Sequence, residues 1–171
     1  MAVMITISTG MGDSQQILVP ISAGELIDKI TILAIKQQKL HRPDALRHVT
    51  KELELLEEAL DNAVKSFPAR IDIKLLSSKQ NLENINQKLW DVEDAIRECE
   101  QKKRFGSEFI DLARSVYILN DERASLKRSI NILCGSNLIE EKSYGSAKSL
   151  GSTNQTTTTS EDCLNEKRST S

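Results

Sequence analysis

Two stretches of this 171-residue chain carry apolar residues at alternating spacings of three and four, and they constrain the fold more than any other feature. The first stripe consists of Leu82, Ile85, Leu89, Val92, Ile96 and Cys99, and the second of Phe109, Leu112, Val116, Leu119, Leu126, Ile130 and Leu133. Arg123 interrupts the second stripe at a position where an apolar residue is due. Stripes of this kind are typical of helices that pack side by side along a coiled-coil-like seam.

The two stripes are related by a nearly constant sum of residue numbers. If the chain folds back near Phe105, facing residues must have such a constant sum. Cys99 with Leu112 gives 211, and Leu82 with Ile130 gives 212. The sequence therefore predicts that the two stripes face each other in an antiparallel helical hairpin.

A capping signal marks the start of a helix before the hairpin. Ser22 is expected to cap the amide N–H of Glu25, and the carboxylate of Glu25 is expected to reach back to Ser22. The helix then runs from Ala23 to about Leu40, with an apolar stripe wider than a two-helix seam requires. We expect this helix to lie deep in the bundle.

Prolines separate the next helices from one another. Pro43 or Asp44 is expected to begin a second helix that runs to Phe67 along a narrow apolar seam. After Pro68 a long third helix follows, which ends near Arg104. Each proline restricts the residue before it, which favours a break in the helix at that point.

The turn of the hairpin is predicted at Phe105-Gly106-Ser107. Gly106 is expected to take a left-handed conformation, and Ser107 is expected to cap a fourth helix that ends near Gly135. The predicted fold is therefore all-α, an antiparallel bundle of about four helices built on a long helical hairpin. The helices form one domain over residues 18–144. Residues 1–17 are expected to be a flexible leader, and residues 145–171 a disordered tail rich in Ser and Thr.

The charge balance and the hydropathy of the chain argue against several classes of partner. The net charge is -2 with 28% charged residues, so no strong field exists to attract nucleic acid or an anionic membrane. The basic run Lys102-Lys103-Arg104 is interpreted as a solvated turn. No apolar run approaches the roughly 20 residues that span a bilayer, and the N-terminal segment lacks the basic region of a secretion signal. The sequence predicts a cytoplasmic protein that binds neither nucleic acid nor membrane.

The cysteines and histidines lack the spacing of a metal site. Cys99, Cys134 and Cys163 form no CxxC motif, so neither a disulfide nor a zinc site is expected. His41 and His48 are separated by two helical turns and a proline. Cys99 is expected to act as a small buried hydrophobic residue at the end of its stripe. No metal and no cofactor are predicted.

Arg123 requires a polar partner in the predicted hairpin. A guanidinium in an apolar seam is costly unless it snorkels outward, stacks on an aromatic ring or meets a carboxylate. The residue-number sums place Arg123 level with Leu89 and beside Trp90, with Glu93 and Asp94 as candidate acidic partners. The interruption in the stripe therefore predicts a polar layer within the bundle.

Asp28 is the other polar residue without an obvious solvent face, and its expected partners include Arg123 and Lys127. Arg97 lies level with Arg114 by the same sum of 211, which suggests a basic cluster. The full candidate layer comprises Asp28, Trp90, Glu93, Asp94, Arg97, Arg114, Asn120, Asp121, Arg123 and Lys127. It either binds a small molecule or partner, or holds the register of the helices through internal ion pairs. The sequence favours the internal ion pairs.

Four stretches resemble a known family: VPISAGELIDKITIL, LWDVEDAIRECE, FIDLARSVYILNDERASLKRSIN and GSNLIEEKSY. The family consists of small bacterial proteins catalogued only as a domain of unknown function, and the resemblance covers Val19 to about Tyr144. It implies no activity, cofactor or catalytic residue. It does imply that the leader and the tail lie outside the shared domain.

Two functional hypotheses remain open at this point. The first is a non-enzymatic scaffold or adaptor in which the narrow seam of the second helix binds a protein partner or a second copy of the chain. The second is an enzyme on a helical bundle, such as a magnesium-dependent nucleotide pyrophosphohydrolase, in which carboxylates one turn apart hold the metal. The carboxylates in question are Glu54 with Glu57 and Glu58, or Glu93 with Asp94 beside Arg97. Acidic residues at these spacings are also normal on a solvated helix, so the first hypothesis is preferred.

Overall fold

The computed structural model describes residues 3–7, 17–65 and 69–138. Within these residues four helices pack against one another, which confirms the predicted all-α bundle. A two-stranded antiparallel sheet precedes the helices. The elements are β1 (Val3–Ile7), β2 (Ile17–Ile21), α1 (Ala23–Lys39), α2 (Pro43–Val64), α3 (Ala69–Gln101) and α4 (Ser107–Leu133). None of the helices in the described ranges is long and apolar enough to cross a membrane.

The small sheet lies partly in the stretch that was expected to be a flexible leader. Val3 pairs with Ile21 and Ile7 pairs with Ile17, so β1 aligns with the extended segment that leads into α1. Both strands are rich in β-branched residues, which favour this conformation. The leader prediction did not anticipate β1, because its partner strand is separated from it in the sequence.

Helix α1 begins as predicted but its capping box is only half formed. Ser22 Oγ accepts a hydrogen bond from the Glu25 N–H at 3.2 Å, which confirms the cap. The Glu25 carboxylate binds the ammonium group of Lys127 instead of reaching back to Ser22. Leu26 and Ile27 on this helix are fully buried, so the expectation that α1 lies deep in the bundle is confirmed.

Helix α2 packs along α1 with the narrow seam that the sequence predicted. Leu53 and Leu56 belong to one buried cluster with Leu26, Ile30 and Leu33 of α1. The described helix ends at Val64, and the predicted end at Phe67 lies outside the described residues. The seam of α2 is therefore used inside the bundle.

Helices α3 and α4 form the predicted hairpin. Leu82 and Ile130, which the residue-number sums pair, lie in one buried cluster, and Cys99 is buried as expected. With 33 residues, α3 is about 50 Å long, whereas the 17 residues of α1 span only about 25 Å. The last residue of α1, Lys39, lies beside Asp91, with 3.6 Å between Nζ and Oδ1. The hairpin continues beyond this point, and we call residues 92–118 the arm.

The turn of the hairpin is built differently from the prediction. Lys103 takes the left-handed conformation with φ 54°, and the N–H of Arg104 donates to the Cys99 carbonyl at 2.9 Å. This is the Schellman arrangement, in which the residue after the C-cap takes the left-handed conformation. Gly106, with φ -81°, is instead the N-cap of α4, and Ser107 is the first helical residue. The predicted roles of Gly106 and Ser107 are therefore both wrong.

Candidate functional site

The arginine that interrupts the stripe meets a carboxylate from α1. Arg123 Nε donates to Asp28 Oδ1 at 2.9 Å, and Arg123 Nη2 donates to Oδ2 at 2.5 Å. The Asp28 side chain is 2% exposed and that of Arg123 is 26% exposed. Two parallel charge-assisted hydrogen bonds of this kind fix both the distance and the orientation of the partners. The pair therefore holds α4 against α1 in one register.

Two further polar side chains complete the surroundings of Asp28. Asn86 Nδ2, on α3, donates to Asp28 Oδ1 at 2.8 Å and to Thr31 Oγ1 at 2.9 Å. The Thr31 hydroxyl donates to the Asp28 carbonyl at 2.8 Å. Asp28 thus connects three helices, because its carboxylate accepts hydrogen bonds from both α3 and α4.

One helical turn away, the N-terminus of α1 contacts α4 closely. Lys127 Nζ lies 2.6 Å from Glu25 Oε2, and the Lys127 side chain is only 10% exposed. The Gly24 N–H donates to Asn131 Oδ1 at 2.7 Å. A Cβ at position 24 would lie 2.4 Å from the backbone oxygen of Lys127, so only glycine allows this approach. We call Gly24, Glu25, Asp28, Thr31, Asn86, Asn120, Arg123, Lys127 and Asn131 the polar cluster.

The structure brings together four of the ten residues predicted for the polar layer. These are Asp28, Asn120, Arg123 and Lys127, with Asn120 Oδ1 accepting from Arg123 Nη1 at 3.4 Å. The pairing of Asp28 with Arg123 was one of the expected alternatives.

The other six predicted residues lie elsewhere. Arg97 binds Glu93 at 3.1 Å and Asp94 at 3.3 Å on the exposed surface of the arm, so the expected pairing of these carboxylates with Arg123 is not seen. Trp90 is half-buried on α3, and Arg114 and Asp121 are exposed on α4. The carboxylates that pair with Arg97 thus belong to its own helix.

Five members of the cluster were not predicted from the sequence: Gly24, Glu25, Thr31, Asn86 and Asn131. A signal for part of the set exists in the spacing: Arg123, Lys127 and Asn131 recur every four residues on α4. Residues at this spacing share one face of a helix. This face lies beside the apolar seam, and it marks the side of α4 on which α1 packs.

The cluster pairs its own charges. The carboxylates of Asp28 and Glu25 are matched by Arg123 and Lys127. Within the described ranges, no group of three His, Cys, Asp or Glu side chains has the geometry to hold a metal ion, and this includes Glu54 with its neighbours on α2. The arrangement is that of a structural network across three helices.

A second feature, an open groove, lies on the hairpin. It has a volume of about 380 Å³ and is lined by Lys88, Asp91 and Val92 of α3 and by Ser115, Ile118 and Leu119 of α4. Lys88 follows Asn86 by two residues, which corresponds to about 200° around the helix. Since Asn86 reaches α1, Lys88 lies on the opposite side of α3 from that contact, and only the edge of the groove at Asp91 borders Lys39 at the end of α1. We call this side of α3 and α4 the back face.

Apolar side chains are exposed along the back face and the arm. Ile118, in the groove, is 47% exposed, and Ile110 and Tyr117 on the same helix are also exposed. At the tip, the exposed ring of Phe105 packs edge-to-face against Phe109 with 5.3 Å between ring centroids. The hairpin thus presents aliphatic and aromatic groups to water over much of its free length.

Comparison with known proteins identifies a family but no characterised relative. A family model described as a family of unknown function (DUF6165) matches residues 17–161. The match confirms the resemblance of the four stretches, and it extends beyond Tyr144, where the resemblance was expected to end. No curated protein and no solved structure matches the chain.

Proposed function

The chain belongs to this family of unknown function, and we propose from its geometry that it is a non-enzymatic scaffold or adaptor. It acts by protein–protein association through the groove on the back face of the hairpin. The observation that carries the proposal is the exposure of Ile118 between half-buried Val92 and Leu119. Contiguous apolar side chains left in water are typical of interaction surfaces.

The packing of the hairpin explains why this surface is open. Where α1 covers the seam, Leu82 and Leu89 are buried. Further along, Val92 and Leu119 occupy equivalent seam positions but remain half-exposed. Two helices alone leave the sides of their seam in contact with water, because a closed core requires further helices. A partner helix in the groove would supply this missing layer.

The chemistry of the two candidate sites also favours association over catalysis. The polar cluster pairs its charges internally, so it offers a substrate no unmatched carboxylate. The groove is lined by three aliphatic side chains, Val92, Ile118 and Leu119, together with Lys88, Asp91 and Ser115. An apolar centre with a polar rim is the usual composition of a protein–protein interface.

The proposal moves the association surface from α2 to the back face. The seam of α2 motivated the sequence-based hypothesis, but Leu53 and Leu56 pack on α1 and are buried. The groove around Ile118 replaces that seam as the proposed association surface.

Site-specific photocrosslinking tests the proposal. A photoreactive amino acid is placed at position 118 of the full chain in cells that express it, and at Glu57 on the exposed face of α2 as a control. We expect one product of discrete mass from position 118 and none from position 57, with the partner identified by mass spectrometry. No product at position 118, or equal products from both positions, would contradict the proposal.

A further inference from the structure

We propose that the partner of the back face is a second copy of this chain, an inference that rests on the proposed function. The two hairpins pack face to face about a two-fold axis parallel to the helices. Helix α3 of each copy then lies against α4 of the other, and the four helices form a bundle across the interface. The charges and side chains in and beside the groove make this face complementary to a second copy.

Two opposite charges flank the groove on different helices. Lys88 lines it on α3, and Glu122 lies one helical turn from Ile118 on the same side of α4. Both side chains are exposed, and in the described part of the chain neither makes an ion pair or a hydrogen bond. Each helix of the hairpin therefore carries the countercharge that the other helix requires.

A two-fold axis along the hairpin brings these charges together. Such an axis exchanges α3 and α4 while keeping every residue at its level along the helices. Lys88 and Glu122 share a level in the hairpin, because their residue numbers add up to 210, close to the 211 of the seam. Lys88 of each copy then faces Glu122 of the other, and the interface contains this pair twice.

The same axis matches uncharged side chains in the groove and, at Ala95, one helical turn from Asp91, just beside it. Val92 and Ile118 also have a residue-number sum of 210, and so do Ala95 and Ser115. Val92 of one copy therefore faces Ile118 of the other, and the small Ala95 faces the small Ser115. Apolar groups meet apolar groups, and the small pair lets the backbones approach. One register satisfies all three matches, so the face is complementary to itself.

Asp91, at the edge of the groove, is already engaged within its own copy. Its Oδ1 accepts from Gln87 Nε2 at 2.8 Å and lies 3.6 Å from Lys39 Nζ. The interface therefore depends on Lys88 and Glu122 for its charge pairing. Because few residues of each helix are involved, the contact is at the small end of specific interfaces, and we expect it to dissociate on dilution.

Charge-reversal variants at positions 88 and 122 test directly whether the partner is a second copy of the chain. The full chain and the variants K88E, E122K and K88E/E122K are compared by sedimentation velocity over a range of concentrations. Each single variant places like charges opposite each other twice, so we expect dimerisation at least tenfold weaker than that of the wild-type chain. The double variant restores both pairs with reversed sign, so it is expected to dimerise again.

Mixing the two single variants gives the sharpest readout. In a dimer of K88E with E122K, the two substituted side chains face each other with opposite charges. The unchanged Lys88 and Glu122 also face each other, so both pairs attract. We expect a heterodimer from two chains that are each monomeric alone, which loss of folding cannot produce. Lys51→Glu and Glu57→Lys, at exposed positions of α2, make the same charge changes and should dimerise like the wild-type chain.

Three results would overturn the second copy: a monomeric wild-type chain at all concentrations, single variants that dimerise normally, or mixing that restores nothing. The crosslinking experiment separates this failure from that of the proposed function. A different protein crosslinked at position 118 would uphold association and refute the second copy. No crosslink at all, together with a monomeric chain, would refute both.

Discussion

Asp28 shows how one buried polar residue fixes the relative position of three helices. Asp28 is almost completely buried, and its charge is matched by a guanidinium that is only partly shielded from water. Burial of a charge is costly unless it is paired and hydrogen-bonded. Asn86 contributes a third hydrogen bond to the same carboxylate. Alternative registers of α1 against the hairpin would leave Asp28 without these partners.

Replacement of Arg123 by leucine should destabilise the fold strongly. The change leaves Asp28 buried without its countercharge, a situation that costs about 3–5 kcal/mol when the pair is fully buried. Because the Arg123 side chain is 26% exposed, we expect a loss of about 2–4 kcal/mol in the free energy of unfolding, measured by urea denaturation. Arg97→Leu removes exposed ion pairs on the arm and serves as the control, with a loss below about 1 kcal/mol. Equal losses in the two variants would contradict the role given to the Asp28 pair.

Gly24 should be intolerant of alanine although it lies in a helix. Alanine usually stabilises a helix by about 1 kcal/mol relative to glycine. At position 24, however, the added Cβ would lie 2.4 Å from the Lys127 backbone oxygen, so α1 must move away from α4. We expect Gly24→Ala to lower the free energy of unfolding by about 1–3 kcal/mol. Gly106→Ala has open space around its Cβ and should change stability by less than about 1 kcal/mol. A stabilised Gly24→Ala would refute the close contact.

Ionisation of the Cys134 thiol should lower the free energy of unfolding at alkaline pH. Burial raises the pKa of this thiol above its ordinary value. As the pH rises past about 8.5, the thiol ionises first in the unfolded chain, so the unfolded state binds fewer protons and stability falls. At lower pH both states hold the proton and the effect is absent. We expect the free energy of unfolding, measured by urea denaturation between about pH 7 and pH 10, to fall less steeply with pH for Cys134→Ala than for the wild-type chain. Parallel pH profiles would contradict this assignment.

At the scale of elements, the sequence predicted the helices well because their signals are local. Ser22 and the prolines mark helix starts, and the stripes mark the faces that pack. The turn after α3 was misassigned because the left-handed position falls on Lys103, while the nearest glycine is Gly106. Glycine is the usual residue there, so a lysine gives no sequence signal.

The polar cluster was predicted only in part, because the sequence does not give the register of α1 against the hairpin. The residue-number sums relate α3 to α4, because a short turn fixes their register. No such relation links α1 to the hairpin, so Asn86 and Asn131 could not be assigned to Asp28 and Gly24. Periodicity identifies the face of a helix that packs, but it does not identify the partner.

At the scale of the molecule, the unequal lengths of α1 and α3 divide the hairpin into two parts. The part that α1 covers contains buried Leu82 and Ile85, whereas within residues 92–118 only Cys99 is buried. Among the described residues, the arm therefore depends on contacts between α3 and α4. The groove lies across this division, with Lys88 and Asp91 on one side of it and Val92, Ser115 and Ile118 in the arm. A partner in the groove would therefore bury apolar surface that α1 leaves exposed.

Hydrogen exchange should detect the division directly. Local opening requires less free energy where few apolar contacts are buried, so backbone amides in the arm should exchange faster than those near Leu82 and Ile85. At a concentration where the chain is monomeric, we expect amides of residues 92–101 to be at least tenfold less protected than those of residues 82–90. Both segments belong to α3, so helix type and length do not differ between them. Equal protection would mean that α1 does not stabilise the part of the hairpin it covers.

If the hairpins pair as proposed, protection near Val92 should rise with protein concentration, and it should not rise in K88E.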